Sequence, residues 1–137
     1  MPTITRWYVK SSLVYLVAAL LLGTGVAARS AGLVSGLPAG LEPVYWHLLM
    51  VGFITQLIFG VAYWMFPKGA PERLRGRDSL AVLSYICLNS GLVLRAVGEP
   101  AATLSPGLGW LLALSAVLQW IAGTIFVVNT WGRVRGK

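Results

Sequence analysis

Few side chains in this sequence could do chemistry, and the few that could suggest a metal ligand rather than a catalytic group. His47 is the only histidine and Cys87 the only cysteine. A neutral imidazole can give iron an axial nitrogen, and guanidinium groups pair with carboxylates. One histidine flanked by Arg29 and Arg95 at the edge of an apolar bundle is therefore a set that suits a haem, whose two propionates need cations near water. The plainer reading also stands: a lone histidine near a helix end is often a hydrogen-bonded interfacial residue, and arginines at helix ends snorkel to headgroups. One cysteine gives neither a disulfide framework nor a thiolate metal site within one chain, so Cys87 is read as a small buried hydrophobe. No nucleophile with a base, no paired carboxylates and no phosphate-binding glycine loop occur. One chain thus carries no complete catalytic centre.

The elements that must hold these residues are membrane spans. Of the 137 residues, 57% are apolar and only 11% charged, less than half the charged share of an ordinary soluble domain. A span takes about 20 apolar residues, and four runs of that kind use most of the chain. The first run covers residues 13–28, with Trp7 and Tyr8 before it as an interfacial anchor and Arg29 closing it. Arg6, Lys10 and the small residues near Ala28 also resemble a secretory leader, but the run is kept as a span. The second covers 44–66, opened by Pro43 and ended by Pro67, with Tyr45, Trp46, Tyr63 and Trp64 placed as an aromatic belt would be. The third covers 80–97, with Asp78 and Ser79 as expected caps and Gly98 and Pro100 as its end. The fourth covers 108–128, after Ser105 and Pro106, with Trp110 and Trp131 near its ends. The expected fold is all-α: an integral membrane four-helix antiparallel bundle, with residues 1–137 forming a single membrane domain.

The net charge of +7 suggests nucleic acid only until the charges are located. Arg6, Lys10, Lys68, Arg73, Arg75, Arg77, Arg133, Arg135 and Lys137 make nine of the eleven basic residues, and all fall on one side of a four-span chain. The positive-inside rule makes that side the cytoplasm. Both termini are then inside, the protein is a multi-pass protein of the cytoplasmic (inner) membrane, and no nucleic-acid partner is required. Arg29, His47 and Arg95 lie at similar depth near the outer face.

Along the second run Gly52, Gln56 and Gly60 recur every four residues, about 140° from His47 at regular α-helical geometry. Small residues at this spacing let helices approach closely. Thr55, Gln56, Ser84, Asn89, Ser90, Ser115, Gln119 and Thr124 are further polar groups at membrane depth. They are expected to bond between helices for about 0.6 kcal/mol apiece. A four-span exporter would need a carboxylate at membrane depth. Glu42, Glu72, Asp78 and Glu99 instead fall in loops or at helix ends, which leaves that reading without support.

The stretch HLLMVGFITQLIFGVAYWMFP, from His47 to Pro67, resembles the second transmembrane helix of subunit I of the haem-copper oxidases, particularly the cbb3-type oxidases and nitric oxide reductase relatives. In that family the helix opens on a low-spin haem histidine at its outer end, runs through glycines and closes on a proline. His47, Gly52, Gly60 and Pro67 match in order, and the GTGVAAR run from Gly23 to Arg29 resembles the outer end of the family's first helix. The likeness covers the first two to three spans best and the fourth loosely. The family's catalytic subunit has many more helices and several further histidines, which this chain lacks, so it is not an oxygen-reducing subunit on its own.

The resemblance implies a haem, of b type, with His47 as metal ligand and Arg29, Arg95, Met50 and Gly52 as the other cofactor-binding candidates. Met50 shares the helix face of His47 one turn on, and Met65 lies roughly 27 Å away along the helix, so neither supplies the opposite axial position. A six-coordinate iron then needs His47 from both protomers of a two-fold dimer. A five-coordinate iron, open to a diatomic gas, is the other choice. The expected function is electron transfer or gas handling, with the lipid bilayer, a second copy and a redox partner or larger respiratory complex as partners. The competing expectation is a cofactor-free accessory or structural subunit of a membrane respiratory complex.

Overall fold

The computed structural model describes residues 1–66 and 74–134, with side chains from residue 78 onward in the second stretch. Pro67, Lys68, Glu72, Arg73, Arg135 and Lys137, and the side chains of Arg75 and Arg77, lie outside what is described. Among the described residues helix is the one regular secondary structure, and residues 31–40 form a non-helical connection. Its four long helices are α1 (Thr3–Ser30), α2 (Leu41–Met65), α3 (Leu74–Leu104) and α4 (Trp110–Trp131), the last preceded by a short 3-10 turn, Pro106–Leu108. All four are long and apolar enough to cross a membrane.

Each helix runs past at least one of the limits that hydropathy sets, because helical hydrogen bonding continues through polar ends that hydropathy discounts; α2 stops one residue short of its expected end and α4 starts two residues late. α1 takes in Trp7 and Tyr8 and ends in a glycine cap. Gly32 adopts φ 71°, its N–H reaches the Arg29 carbonyl at 3.0 Å, and the Leu33 N–H reaches Ala28 at 2.9 Å. This is the paired 5→2 and 6→1 pattern of a Schellman end. Asp78 and Ser79 are not caps, since α3 begins at Leu74 and both sit inside it. Nor do Gly98 and Pro100 end α3, which continues to Leu104 with Pro100 internal. The neighbours hold that turn: Leu111 and Leu112 pack at Gly98, and Gly40 lies against the Glu99 carbonyl. A proline in a membrane helix is tolerated where surrounding structure secures the backbone in this way.

α2 carries the least regular backbone. Leu48–Thr55 is π-helical, and the buried positions Val44, Leu48, Gly52, Gln56 and Gly60 recur every four residues through it. In an α-helix each four-residue step overshoots a full turn by about 40°, so Gly60 would end roughly 160° away from Val44. The wider i→i+5 turns take that drift back and keep one stripe facing α1. The same spacing keeps Trp46, Met50, Ile54 and Ile58 together on the exposed side. It also corrects the 140° separation expected between His47 and the glycine stripe, because wider turns bring Gly52 closer in rotation to His47.

The glycines of α2 serve contact with α1. A Cβ at Gly52 would lie 2.9 Å from Tyr15 Cγ, and one at Gly60 would lie 2.7 Å from Tyr8 Cβ. Gly23 of α1 receives the Tyr45 ring in the same manner. α3 and α4 form a second helix pair, as extensive as that of α1 with α2. There Gly91 sits against Gln119 and the Ser115 carbonyl, and Gly98 against Leu111 and Leu112. Lipid tails are as apolar as leucine, so close backbone approach and hydrogen bonds, rather than a hydrophobic drive, hold such helices together.

Tyr8 joins the two pairs. It is fully buried, which corrects its expected place as an interfacial anchor. Its hydroxyl donates to the Ala81 carbonyl at 3.2 Å, and its ring meets Phe59, Tyr63 and Tyr85. The expected aromatic belt on α2 divides by residue type. Trp46 and Trp64 are exposed, whereas Tyr63 is buried against Tyr8 and Phe126 and Tyr45 packs on Gly23. A tyrosine turned inward keeps its hydroxyl satisfied through a helix neighbour.

Candidate functional site

His47 closes the α-helical first part of α2, immediately before the π segment. It is half-buried, between the buried Val44 and Leu48 and the exposed Trp46 and Met50. Its Nδ1 lies 2.9 Å from the Pro43 carbonyl oxygen, one turn back. A carbonyl only accepts, so Nδ1 carries the proton in this contact and a neutral ring keeps its lone pair on Nε2. This is the arrangement in which a backbone carbonyl fixes the tautomer of a metal-binding imidazole. It is also a common resting state for a helix-end histidine.

The residues grouped with His47 on sequence grounds share its end of the bundle but not one cavity. Arg29, in the last turn of α1, donates from Nη1 to the Pro38 carbonyl at 3.2 Å. It lines a cavity of about 450 Å³ with Ser30, Leu41, Glu42 and Pro43, and His47 is not part of that lining. Arg95 lies 2.9 Å from Glu99 Oε1, one turn along α3, and both side chains are largely buried. The N-terminal turns of α2 pack nearby, with Ala96 against the cluster of Ala19, Val44 and Leu48. Met50 faces outward, while Gly52 is covered by the Tyr15 ring. By the four-residue period of α2, His47 shares its half-buried stripe with Val51 and Thr55 and lies one position beside the outward stripe of Trp46, Met50 and Ile54, which corrects the expectation that Met50 shares its face.

A second concentration of polar groups, at the opposite end of the bundle, is legible only in part from sequence. Gln56 is fully buried and its Nε2 donates to Ser11 Oγ. Ser84 Oγ donates to the Ala122 carbonyl at 2.9 Å, and Asn129 Nδ2 donates to the Tyr63 hydroxyl at 3.3 Å. The Arg133 guanidinium lies 5.9 Å from the Tyr63 ring centre. Nearer the middle, Tyr15 donates to Asn89 Oδ1 at 2.9 Å and Ser115 to the Gly91 carbonyl at 2.7 Å. Of the polar groups expected to bridge helices, Gln56, Ser84, Asn89 and Ser115 do so. Thr55, Gln119 and Thr124 bond within their own helix. The partners Tyr8, Ser11, Tyr15 and Asn129 carry no common spacing in the sequence; of them only Tyr15 stands four residues from a buried small residue, Ala19. These groups are spent on helix pairing.

Cys87 is half-buried against the core, as a small hydrophobe would be. Among the described residues no three His, Cys, Asp or Glu side chains cluster as a metal site, a test to which a single-histidine haem ligand does not answer. Comparison with family models, with curated proteins and with solved structures finds no match to this chain.

Proposed function

We propose that this chain is a haem-binding protein of the cytoplasmic membrane, built as an antiparallel four-helix bundle with both termini inside. The order of contacts supports the antiparallel arrangement: Gly23, Tyr15 and Tyr8 of α1 meet Tyr45, Gly52 and Gly60 of α2. The distribution of basic residues supports the orientation. His47 Nε2 is the proposed axial ligand of a b-type haem. The observation that carries this is the Pro43 carbonyl, which holds Nδ1 and leaves Nε2 as the nitrogen available to iron.

The haem would supply a one-electron couple or a site for a diatomic gas; the chain would supply the ligand and an apolar wall. Trp46 and Met50, exposed on the stripe beside the half-buried His47, would form that wall, and their exposure favours a haem enclosed between two copies, each offering His47. Arg95 is the proposed propionate cation, exchanging Glu99 for the propionate.

The test is the absorption spectrum of the protein purified in mild detergent and reconstituted with haem. A Soret band at the violet edge of the visible, a stoichiometry of one haem per two chains and loss of the band in His47→Ala are the expected results. A reconstituted dimer without the band, or an unchanged band in His47→Ala, overturns the proposal. A cofactor-free accessory subunit of a membrane respiratory complex is the second reading. The existing pairing of Arg95 with Glu99 favours it, because that guanidinium is already neutralised.

A further inference from the structure

The cavity beside Arg29 has a chemistry of its own. It lies where α1 ends and α2 begins, at the level where two membrane-crossing helices leave the hydrocarbon, and holds about 450 Å³. Its lining carries both charges: Arg29 and Glu42 line it together with Ser30, and Val26, Leu37 and Leu41 form the apolar part. The two charges do not pair with each other: the one ion pair among the described residues is Arg95 with Glu99. Arg29 has five N–H donors and one contact, to the Pro38 carbonyl, so most of its guanidinium is open to a ligand.

The rim is held in place from below. Gly40 adopts φ 86°, and a Cβ there would stand 2.8 Å from the Glu99 carbonyl oxygen. The loop is thereby fixed on α3 at the point where α2 starts. Glu42 lies in the first turn of α2, where its carboxylate answers the positive end of the helix.

A cation and an anion facing one cavity, at headgroup depth and above an apolar floor, complement a zwitterion with a hydrogen-bonding ammonium. We propose that this cavity binds the headgroup of an ethanolamine phospholipid, with the phosphate on Arg29 and the ammonium on Glu42. A choline headgroup has no N–H to give the carboxylate. A glycerol headgroup has no cation, and Glu42 repels its net negative charge. The proposal rests on the reading that the four helices cross a bilayer and is independent of haem.

The experiment is native mass spectrometry of the full chain released from nanodiscs holding equal amounts of ethanolamine, choline and glycerol phospholipids. An exposed ion pair of this type discriminates by about threefold to fivefold, so the wild type is expected to retain the ethanolamine lipid at that enrichment. Glu42→Gln is expected to abolish the preference while still retaining phospholipid, and Arg29→Gln to lower retention of all three. Asp78→Asn changes a carboxylate at the other end of the bundle and is expected to leave the enrichment intact. A reconstituted wild type without enrichment, a Glu42→Gln protein that keeps it, or an Asp78→Asn protein that loses it overturns the headgroup site alone. Failure of the chain to enter nanodiscs overturns the membrane reading and the site with it.

Discussion

Replacing Gly60 by alanine tests how closely α1 and α2 must approach. The added Cβ would sit 2.7 Å from Tyr8 Cβ and 3.5 Å from the Thr5 carbonyl oxygen. Carbon atoms rest at about 3.5–4.0 Å, so roughly 1 Å of separation has to be made. Tyr8 cannot rotate away, because the clash is at its Cβ and its hydroxyl is tied to Ala81. Its ring is also enclosed by three other aromatic rings. The helices must part, and overpacking of that kind costs about 1–3 kcal/mol. Alanine recovers up to about 1 kcal/mol of helix propensity over glycine. Gly123→Ala isolates that gain, since nothing lies within 4 Å of a Cβ there. Unfolding in mixed micelles of rising dodecyl sulfate content, followed by tryptophan fluorescence, is expected to show Gly60→Ala less stable than wild type by about 1–2 kcal/mol. Gly123→Ala is expected to be equal or better. A Gly60→Ala protein as stable as wild type, or an equal loss in Gly123→Ala, would refute the packing argument.

Deleting one residue within Leu48–Thr55 is expected to rotate Gln56, Gly60 and Tyr63 by roughly 100° relative to His47, and so to remove the stripe from α1. In a Cys87→Ser background, Tyr8→Cys and Gly60→Cys should cross-link in the parent sequence and not in the deletion; equal cross-linking would show that the π segment does not set the phase. Tyr15→Phe removes the hydroxyl that Asn89 accepts from. It should cost about 0.6 kcal/mol in the same unfolding assay, and a loss above about 2 kcal/mol would point to a larger network. Gln56→Leu removes a carbonyl oxygen that is buried without a partner along with one bond to Ser11, so its stability should stay within about 1 kcal/mol of wild type. Glu99→Gln frees Arg95 from its ion pair. If Arg95 serves a propionate, haem retention during dilution should rise in this variant, and a fall would remove Arg95 from the site.

The four helices were legible because lipid imposes a length and a composition on any segment that crosses it; residues 44–66, 80–97 and 108–128 satisfy both, and residues 13–28, short by themselves, do so once the helix extends over Thr3–Ser30. The helix ends were not legible, since helical hydrogen bonding runs on through Trp7, Asp78 and Pro100, where hydropathy has already fallen. His47 stood out for a chemical reason: it is the only imidazole in a chain with few groups able to bind a metal. The tautomer of its ring depends on the Pro43 carbonyl one turn away, and that proximity exists only once the helix has formed. The four-residue spacing of Gly52, Gln56 and Gly60 was visible as a pattern. Its meaning, a π segment that cancels the drift of an α-helix, needed the backbone of α2 against α1. Composition and spacing thus determined which segments are apolar enough to cross a membrane and set His47 apart as the one imidazole, because these follow from local chemistry. Tertiary structure alone decided that Arg29 and Glu42 line one cavity, because the distance between side chains on different helices is set by packing and leaves no trace in either segment by itself.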